Sequence, residues 1–106
     1  MIGIDIVDVS RIRDLRIRYG EKFLMKVFTD GEIAYAIGKR RLDESLAARF
    51  AAKEAFIKAR GRRVPWKDIE VHSGVNGRPF IVFRGERFDG VSLSHERAYA
   101  VAVVTL

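Results

Sequence analysis

One segment in the middle of the chain places charged side chains where an apolar helix is predicted. Lys53, Glu54 and Lys58 lie within or beside the apolar stripe of a helix predicted over residues 43–60. Because burying an unpaired charge is costly, each of them requires a counter-ion, a metal ion or a charged ligand. An internal ion pair between Glu54 and Lys58, four residues apart, would also meet this requirement and is common on helices. The segment alone leaves both interpretations open.

A second acidic residue lies near the start of the chain. Asp5 stands in the middle of a predicted strand and follows Gly3, which permits the close approach of a packed element. If that strand packs against the helix, Asp5 and Glu54 are two carboxylates on adjacent elements. Mg²⁺ is usually held in this way, with water molecules and phosphate oxygens completing its shell. Alternatively, Asp5 faces solvent, and Asp8 is either the ligand or a charge at the start of the next helix.

The two histidines have different surroundings in the sequence. His95 follows Ser92 and Ser94 at the tip of a predicted hairpin, where it could donate a hydrogen bond to a phosphate or be an ordinary loop residue. His72 lies in the middle of a predicted strand, and we assign it no role. Neither histidine has the spacing of a metal-ligand pair.

The elements that position these residues follow from local patterns. Residues 2–8 alternate with a period of two, which predicts a strand with its isoleucines on the buried face and Asp5 on the other. Ser10 is a candidate N-cap for a helical segment interrupted at Gly20, and Thr29 begins a capping box for a short helix. Further strands are predicted over residues 69–72, 80–83, 91–94 and 99–104, with a loop over 84–90.

This order of elements predicts the fold class. It is α+β, with one antiparallel sheet packed against a long central helix plus two shorter helices. The chain has 106 residues, 48% of them hydrophobic and 32% charged. These values are typical of a soluble folded protein, and we expect one domain over residues 1–106.

Composition and charge narrow the function classes. The absence of cysteine excludes disulfide scaffolds, thiolate catalysis and cysteine-based zinc sites. No apolar run approaches the roughly 20 residues of a membrane span. Because Met1 leads into a strand without a basic segment, we expect no secretory signal and a cytoplasmic location.

The net charge of +6 indicates an anionic partner. Nucleic acid, an anionic membrane, or an acidic protein together with a phosphorylated small molecule would each fit that charge. Two function classes follow: a metal-dependent enzyme, and a non-catalytic basic module that binds nucleic acid or an acidic protein. The Asp5–Glu54 pair discriminates between them, because a basic module has no reason to place two acids at one buried position.

Three sequence segments occur in a specific order along the chain. They are GIDIVDVSRI at residues 3–12, RFAAKEAFIKA at 49–59, and SLSH at 92–95 followed by YAVA at 99–102. Together they resemble the holo-acyl-carrier-protein synthases, the small form of the 4′-phosphopantetheinyl transferases. The resemblance covers nearly the whole chain. It implies transfer of the 4′-phosphopantetheine group of coenzyme A to a serine of apo-acyl carrier protein, with release of adenosine 3′,5′-bisphosphate.

The resemblance also implies residue roles. Asp5 and Glu54 would ligate Mg²⁺, and Lys58 would act with Glu54 in catalysis at the reacting phosphate. Arg49 and His95, together with Lys58, would bind coenzyme A.

The partners implied by the resemblance account for the basic charge. Arg11 would bind the acidic carrier protein; it begins a stretch, residues 11–26, with six basic side chains. A solvated run of charges is the alternative reading of that stretch. The small members of the family are homotrimers with sites between subunits, and we expect neither nucleic acid nor a membrane as a partner.

Overall fold

The strand and the helix that carry the two candidate carboxylates pack directly against each other. The computed structural model describes residues 1–106, and its α+β class is the predicted one. The strands are β1 (Ile2–Asp8), β2 (Ile69–Ser73), β3 (Pro79–Phe83), β4 (Glu86–Phe88), β5 (Val91–His95) and β6 (Tyr99–Thr105). The helices are α1 (Val9–Tyr19), α2 (Glu21–Val27), α3 (Asp30–Ile37) and α4 (Leu42–Arg60), with a short 3₁₀ turn at Trp66–Asp68. None of the helices combines the length and the apolar composition that crossing a membrane requires.

The strands form two antiparallel sheets, so the prediction of one sheet is wrong. One sheet has the order β1-β6-β5 and the other the order β2-β3-β4. The difference arises in the predicted loop over 84–90, where Arg84 and Gly85 both have positive φ. A two-residue turn of this kind matches strand twist and closes a tight hairpin. It folds β4 back onto β3, pairing Phe83 with Glu86, and thereby completes a separate sheet.

Three short helices precede α4, whereas two were predicted. Gly20, with φ of 55°, separates α1 from α2, as the predicted helix break required. The carboxylate of Asp8 caps α1 by accepting a hydrogen bond from the backbone N–H of Ser10, so the N-cap is Asp8 and not Ser10. The predicted capping box at Thr29 is confirmed at the start of α3.

The faces of β1 are the reverse of the prediction. Ile2, Ile4 and Ile6 are 70%, 59% and 64% exposed, whereas Val7 is buried against α4. The reason is Gly3, since a Cβ at this position would lie 1.9 Å from the carbonyl oxygen of an α4 residue. The helix can approach β1 this closely only on the side that bears the glycine. Asp5, two residues along, therefore lies on the side of the strand that faces α4.

The core surrounds α4, which is buried along most of its length. The ammonium of Lys53 is fully buried and lies 2.6 Å from the Glu32 carboxylate, which supplies the counter-ion that the sequence required. It also donates hydrogen bonds to the carbonyl oxygens of Val27, at 2.7 Å, and Trp66, at 3.0 Å. Burial lowers the pKa of Lys53, and the charge of Glu32 opposes that shift.

Candidate active site

Asp5 and Lys58 form the first half of the candidate site. Lys58 Nζ donates a hydrogen bond to Asp5 Oδ1 and another to the carbonyl oxygen of Ile4, both at 3.0 Å. The lysine lies one turn after Glu54 on α4, yet the two do not form the internal ion pair that the sequence left open. Glu54 pairs instead with the chain beyond α4. The Lys58 side chain is 55% exposed, so its charge remains accessible to a ligand.

Glu54 is held by two donors from the segment between α4 and β2. Its Oε2 accepts a hydrogen bond from Trp66 Nε1 at 2.8 Å and another from Arg63 Nη1 at 3.0 Å. Partial burial raises the pKa of Glu54. The two hydrogen bonds and the nearby positive charges together lower it by more, so the net shift of the pKa is downward. The side chain is therefore a carboxylate at neutral pH.

Asp5 and Glu54 line the same cleft. Its volume is about 370 Å³, and its walls come from β1, α1, α2, α4 and the segment around Trp66. Arg11 also lines it, which places this α1 residue beside the carboxylates and not on a separate surface. The predicted meeting of Asp5 and Glu54 is therefore found, and Arg11 is added to it.

The donor set of the cleft fits a magnesium ion. Asp5 Oδ2 and Glu54 Oε1 make no hydrogen bond within the chain, so each carboxylate keeps one oxygen for a ligand. No cluster of three metal-ligating side chains exists in the chain. A pair of carboxylates suits Mg²⁺, which keeps several waters and commonly binds one or two carboxylates together with substrate phosphates.

Arg49 and His95 line a different pocket of about 440 Å³. Its lining is strongly basic, with Lys39, Arg40 and Arg41 present and no acidic residue. The two pockets share no lining residue. One chain therefore carries a cleft that contains the two carboxylates, the carboxylate cleft, and a separate basic pocket. The predicted coenzyme A residues are divided between them, since Lys58 lies beside the carboxylate cleft.

Arg49 is a buried cation with incomplete pairing. Its guanidinium lies 3.9 Å from the centre of the Tyr35 ring and donates one hydrogen bond, at 3.3 Å, to Ser45 Oγ. Its Nε is buried and has no hydrogen-bond partner. Burial lowers the pKa of Arg49, which the charges of nearby acidic groups oppose. Because Arg49 lines the pocket, an anionic ligand there would offset its incompletely paired charge.

The position of His95 is fixed by a residue that the sequence did not reveal. His95 Nδ1 lies 2.9 Å from Glu44 Oε1, and Glu44 also pairs with Arg41 at 3.2 Å. His95 is the last residue of β5, and Glu44 is on the first turn of α4, so only the folded chain brings them together. Arg63 and Trp66 were missed for the same reason. The one available signal was that Trp66 is the sole tryptophan of the chain.

A family comparison accounts for this arrangement. Residues 1–104 match the model of the 4′-phosphopantetheinyl transferase superfamily. The chain belongs to that superfamily. This confirms the resemblance drawn from the three sequence segments.

Similar sequences within the superfamily cover nearly the full length of the chain. The holo-[acyl-carrier-protein] synthase of Carboxydothermus hydrogenoformans is 47% identical over 98% of this chain and 94% of its own length. That of Halothermothrix orenii is 44% identical over 97% of this chain and 93% of its own length.

Solved structures of the superfamily share the fold. The Helicobacter pylori holo-[acyl-carrier-protein] synthase, solved with coenzyme A, has a TM-score of 0.88, 31% identity and coverage of 99% of this chain and 98% of its own. The Bacillus anthracis enzyme, in complex with CoA (3′,5′-ADP), has a TM-score of 0.85 and 38% identity, covering 97% of this chain and 91% of its own.

Proposed function

We propose that this chain is a holo-acyl-carrier-protein synthase. It transfers 4′-phosphopantetheine from coenzyme A to a serine of apo-acyl carrier protein and releases adenosine 3′,5′-bisphosphate. The observation that carries this proposal is the pair of carboxylates, Asp5 and Glu54, in one cleft of a basic protein, with Lys58 bound to Asp5. A non-catalytic basic module, the alternative, gives no reason for that pair.

In the transfer, the serine oxygen bonds to the phosphorus that carries the pantetheine arm, and the bond from this phosphorus to the bridging oxygen of the nucleotide breaks. Such a reaction asks the protein mainly for positioning and charge neutralisation. Asp5 and Glu54 would hold Mg²⁺, which when bound polarises the pyrophosphate and offsets charge on the leaving bisphosphate. As an ammonium, Lys58 would stabilise the charge of the attacked phosphate beside them. The alternative role, accepting the serine proton, would require the neutral amine of Lys58.

The basic pocket supports binding of the nucleotide part of coenzyme A. Arg49 lines this pocket as an incompletely paired cation, and His95 is oriented by Glu44. Phosphate oxygens are suited to such donors, because charge-assisted hydrogen bonds are stronger than neutral ones.

We also propose that the chain works as a homotrimer with sites between subunits. The outer face of the β1-β6-β5 sheet is apolar, since Ile4 pairs with Val103 and Ile6 pairs with Val101 on that side. A contiguous exposed apolar face of this kind marks an interaction surface. In addition, the carboxylate cleft and the basic pocket of one chain share no lining residue, and a neighbouring subunit would bring one to the other. The number of subunits follows the family resemblance.

Subunit mixing tests the shared site. We expect neither Asp5→Asn nor His95→Ala to be active alone, whereas co-assembled trimers of the two regain about a quarter of wild-type activity, because random mixing leaves that fraction of sites intact. A mixture of Asp5→Asn with Glu54→Gln, which both damage the carboxylate cleft, is the control and regains nothing. No recovery in the first mixture would place both halves of the site in one subunit.

The release of adenosine 3′,5′-bisphosphate tests the reaction itself. The chain is incubated with coenzyme A, Mg²⁺ and apo-acyl carrier protein, and the nucleotide is quantified by chromatography. We expect release in the wild type and none in Asp5→Asn or Glu54→Gln, which remove charge with little change in volume. Asp89→Asn removes the same charge outside the cleft and is expected to keep full activity. Normal release by either cleft variant would refute the proposed site.

A further inference from the structure

Two side chains outside the predicted site donate hydrogen bonds to the same oxygen of Glu54. Trp66 Nε1 and Arg63 Nη1 both donate to Oε2, at 2.8 and 3.0 Å. The two donors differ in charge, since the indole N–H is neutral and the guanidinium is a cation. The guanidinium therefore repels a second cation that approaches Glu54, whereas the neutral indole has no net charge with which to repel it.

Trp66 is a fixed donor because three contacts hold it. Its carbonyl oxygen accepts a hydrogen bond from the fully buried ammonium of Lys53 at 3.0 Å. Its ring packs against Phe50, with ring centres 5.9 Å apart. Its indole N–H then points to Glu54. Because Lys53 is itself paired with Glu32 in the core, the backbone of Trp66 is anchored there, and the ring contact with Phe50 favours the position of the indole beside the carboxylate.

Arg63 is an exchangeable partner. Its side chain is 63% exposed, and Glu54 is its only ion-pair partner. An exposed ion pair contributes little to the free energy of folding, because holding the two side chains in one geometry costs conformational entropy. The guanidinium nevertheless neutralises the carboxylate at 3.0 Å, so a divalent cation that binds Glu54 must work against its charge.

We propose that Trp66 is a positioning residue that orients Glu54 for a divalent cation, and that Arg63 is a counter-ion that competes with this cation for Glu54. The inference rests on the metal role given to Glu54 in the proposed function and adds two residues to it. The neutral donor fixes Oε2 without cancelling the charge, which leaves Oε1 as the unpartnered oxygen. Residues that orient metal ligands in this way commonly change metal affinity by about 10- to 100-fold when they are removed.

Titration with Mn²⁺ alone tests the proposal without the transfer reaction, with the free ion quantified by electron paramagnetic resonance. We expect Trp66→Phe, which keeps the ring and removes the donor, to weaken Mn²⁺ binding about tenfold or more. We expect Arg63→Gln to tighten it about two- to fivefold, the value of an exposed ion pair. The control Arg84→Gln removes the same charge from an exposed pair with Asp68 and is expected to change nothing.

Equal Mn²⁺ affinity in wild type and Trp66→Phe, or weaker binding in Arg63→Gln, would overturn the proposal. Absence of Mn²⁺ binding in the wild type would overturn both the proposal and the metal role of Glu54. Normal Mn²⁺ binding in Trp66→Phe would overturn only the role of Trp66, so the two failures are distinguishable. A rescue experiment distinguishes orientation of Glu54 from a purely structural role of Trp66. Excess Mg²⁺ restores the kcat of Trp66→Phe if Trp66 orients the metal ligand, and does not restore it if the substitution damages the fold.

The hydrogen bond between Trp66 and Glu54 can also be tested directly by nuclear magnetic resonance of the indole N–H. Because Trp66 is the only tryptophan, the protein has a single indole N–H resonance in a nitrogen–proton correlation spectrum. We expect this resonance to shift in Glu54→Gln, since the charged acceptor is lost, and to stay in place in Arg84→Gln. An unchanged resonance in Glu54→Gln would overturn the contact regardless of any metal.

Discussion

Replacing Gly3 by alanine tests how closely β1 and α4 must approach for the site to work. The new Cβ would lie 1.9 Å from the carbonyl oxygen of Ala55 and 2.7 Å from the backbone nitrogen of Ala59. Both atoms belong to the helix backbone, which cannot rotate away. The strand would therefore retreat by about 1.5 Å before the contact became an ordinary one. Asp5, two residues along, would move with it relative to Glu54.

A displacement of this size has a measurable cost in catalysis and in stability. A misplacement of about 1 Å is enough to lower turnover about 100-fold, and overpacking typically costs about 1–3 kcal/mol. We expect Gly3→Ala to lower kcat by that factor, measured with saturating coenzyme A and carrier protein, and to lower the free energy of unfolding in urea by that amount.

The matched control is Gly38→Ala, at which φ is −73° and the nearest atom to the new Cβ is 3.5 Å away. It is expected to leave kcat unchanged and to be neutral or slightly stabilising. An unchanged kcat in Gly3→Ala would show that the site does not depend on this approach, and would refute the reasoning.

Four further changes probe the remaining parts of the site. Lys53→Met leaves the Glu32 carboxylate unpaired in the core and should cost about 3–5 kcal/mol in urea unfolding, part of which Glu32→Gln restores in the double variant. Folding lowers the pKa of the Glu54 carboxyl, so its contribution to stability is complete at a pH above the pKa of an ordinary glutamate. That contribution is lost as the pH falls through the pKa of the folded state, and Glu54→Gln should reduce this loss of stability in acid titrations. Lys58→Gln should lower kcat at saturating coenzyme A, whereas a rise in KM alone would make Lys58 a ground-state binder. Arg11→Glu should raise the KM for carrier protein, and added salt should weaken the wild-type association with carrier protein, whereas an absent salt effect would place that surface elsewhere.

Most of the secondary structure could be predicted from residues that are close together in the sequence. Gly20 and Gly61 end helices because they adopt positive φ, and Thr29 begins one because its side chain caps it. The meeting of Asp5 and Glu54 in one cleft was also predictable, since Asp5 is an acid inside a strand and Glu54 lies beside the apolar stripe of α4. The helix limits depend on a few neighbouring residues, whereas the meeting of the two carboxylates also requires that β1 packs against α4, which Gly3 indicated.

The features that were not predicted depend on distant parts of the chain. The alternation of residues 2–8 shows two faces but not which of them the helix covers, and the apolar isoleucines proved to lie on the face away from it. The division into two sheets depends on whether the 84–90 segment pairs with β3. The donors of Glu54 lie 9 and 12 residues beyond it, and only the turn after α4 returns them to the cleft.

The most direct test of the account is the intact mass of an apo-acyl carrier protein after incubation with this chain, coenzyme A and Mg²⁺. We predict that the carrier protein gains the mass of one phosphopantetheine group with the wild-type chain and none with Asp5→Asn. A carrier protein whose acceptor serine is replaced by alanine should gain nothing with either. An unmodified carrier protein in the wild-type reaction, or an equal gain with Asp5→Asn, would contradict the claim that the Asp5–Glu54 cleft performs the transfer.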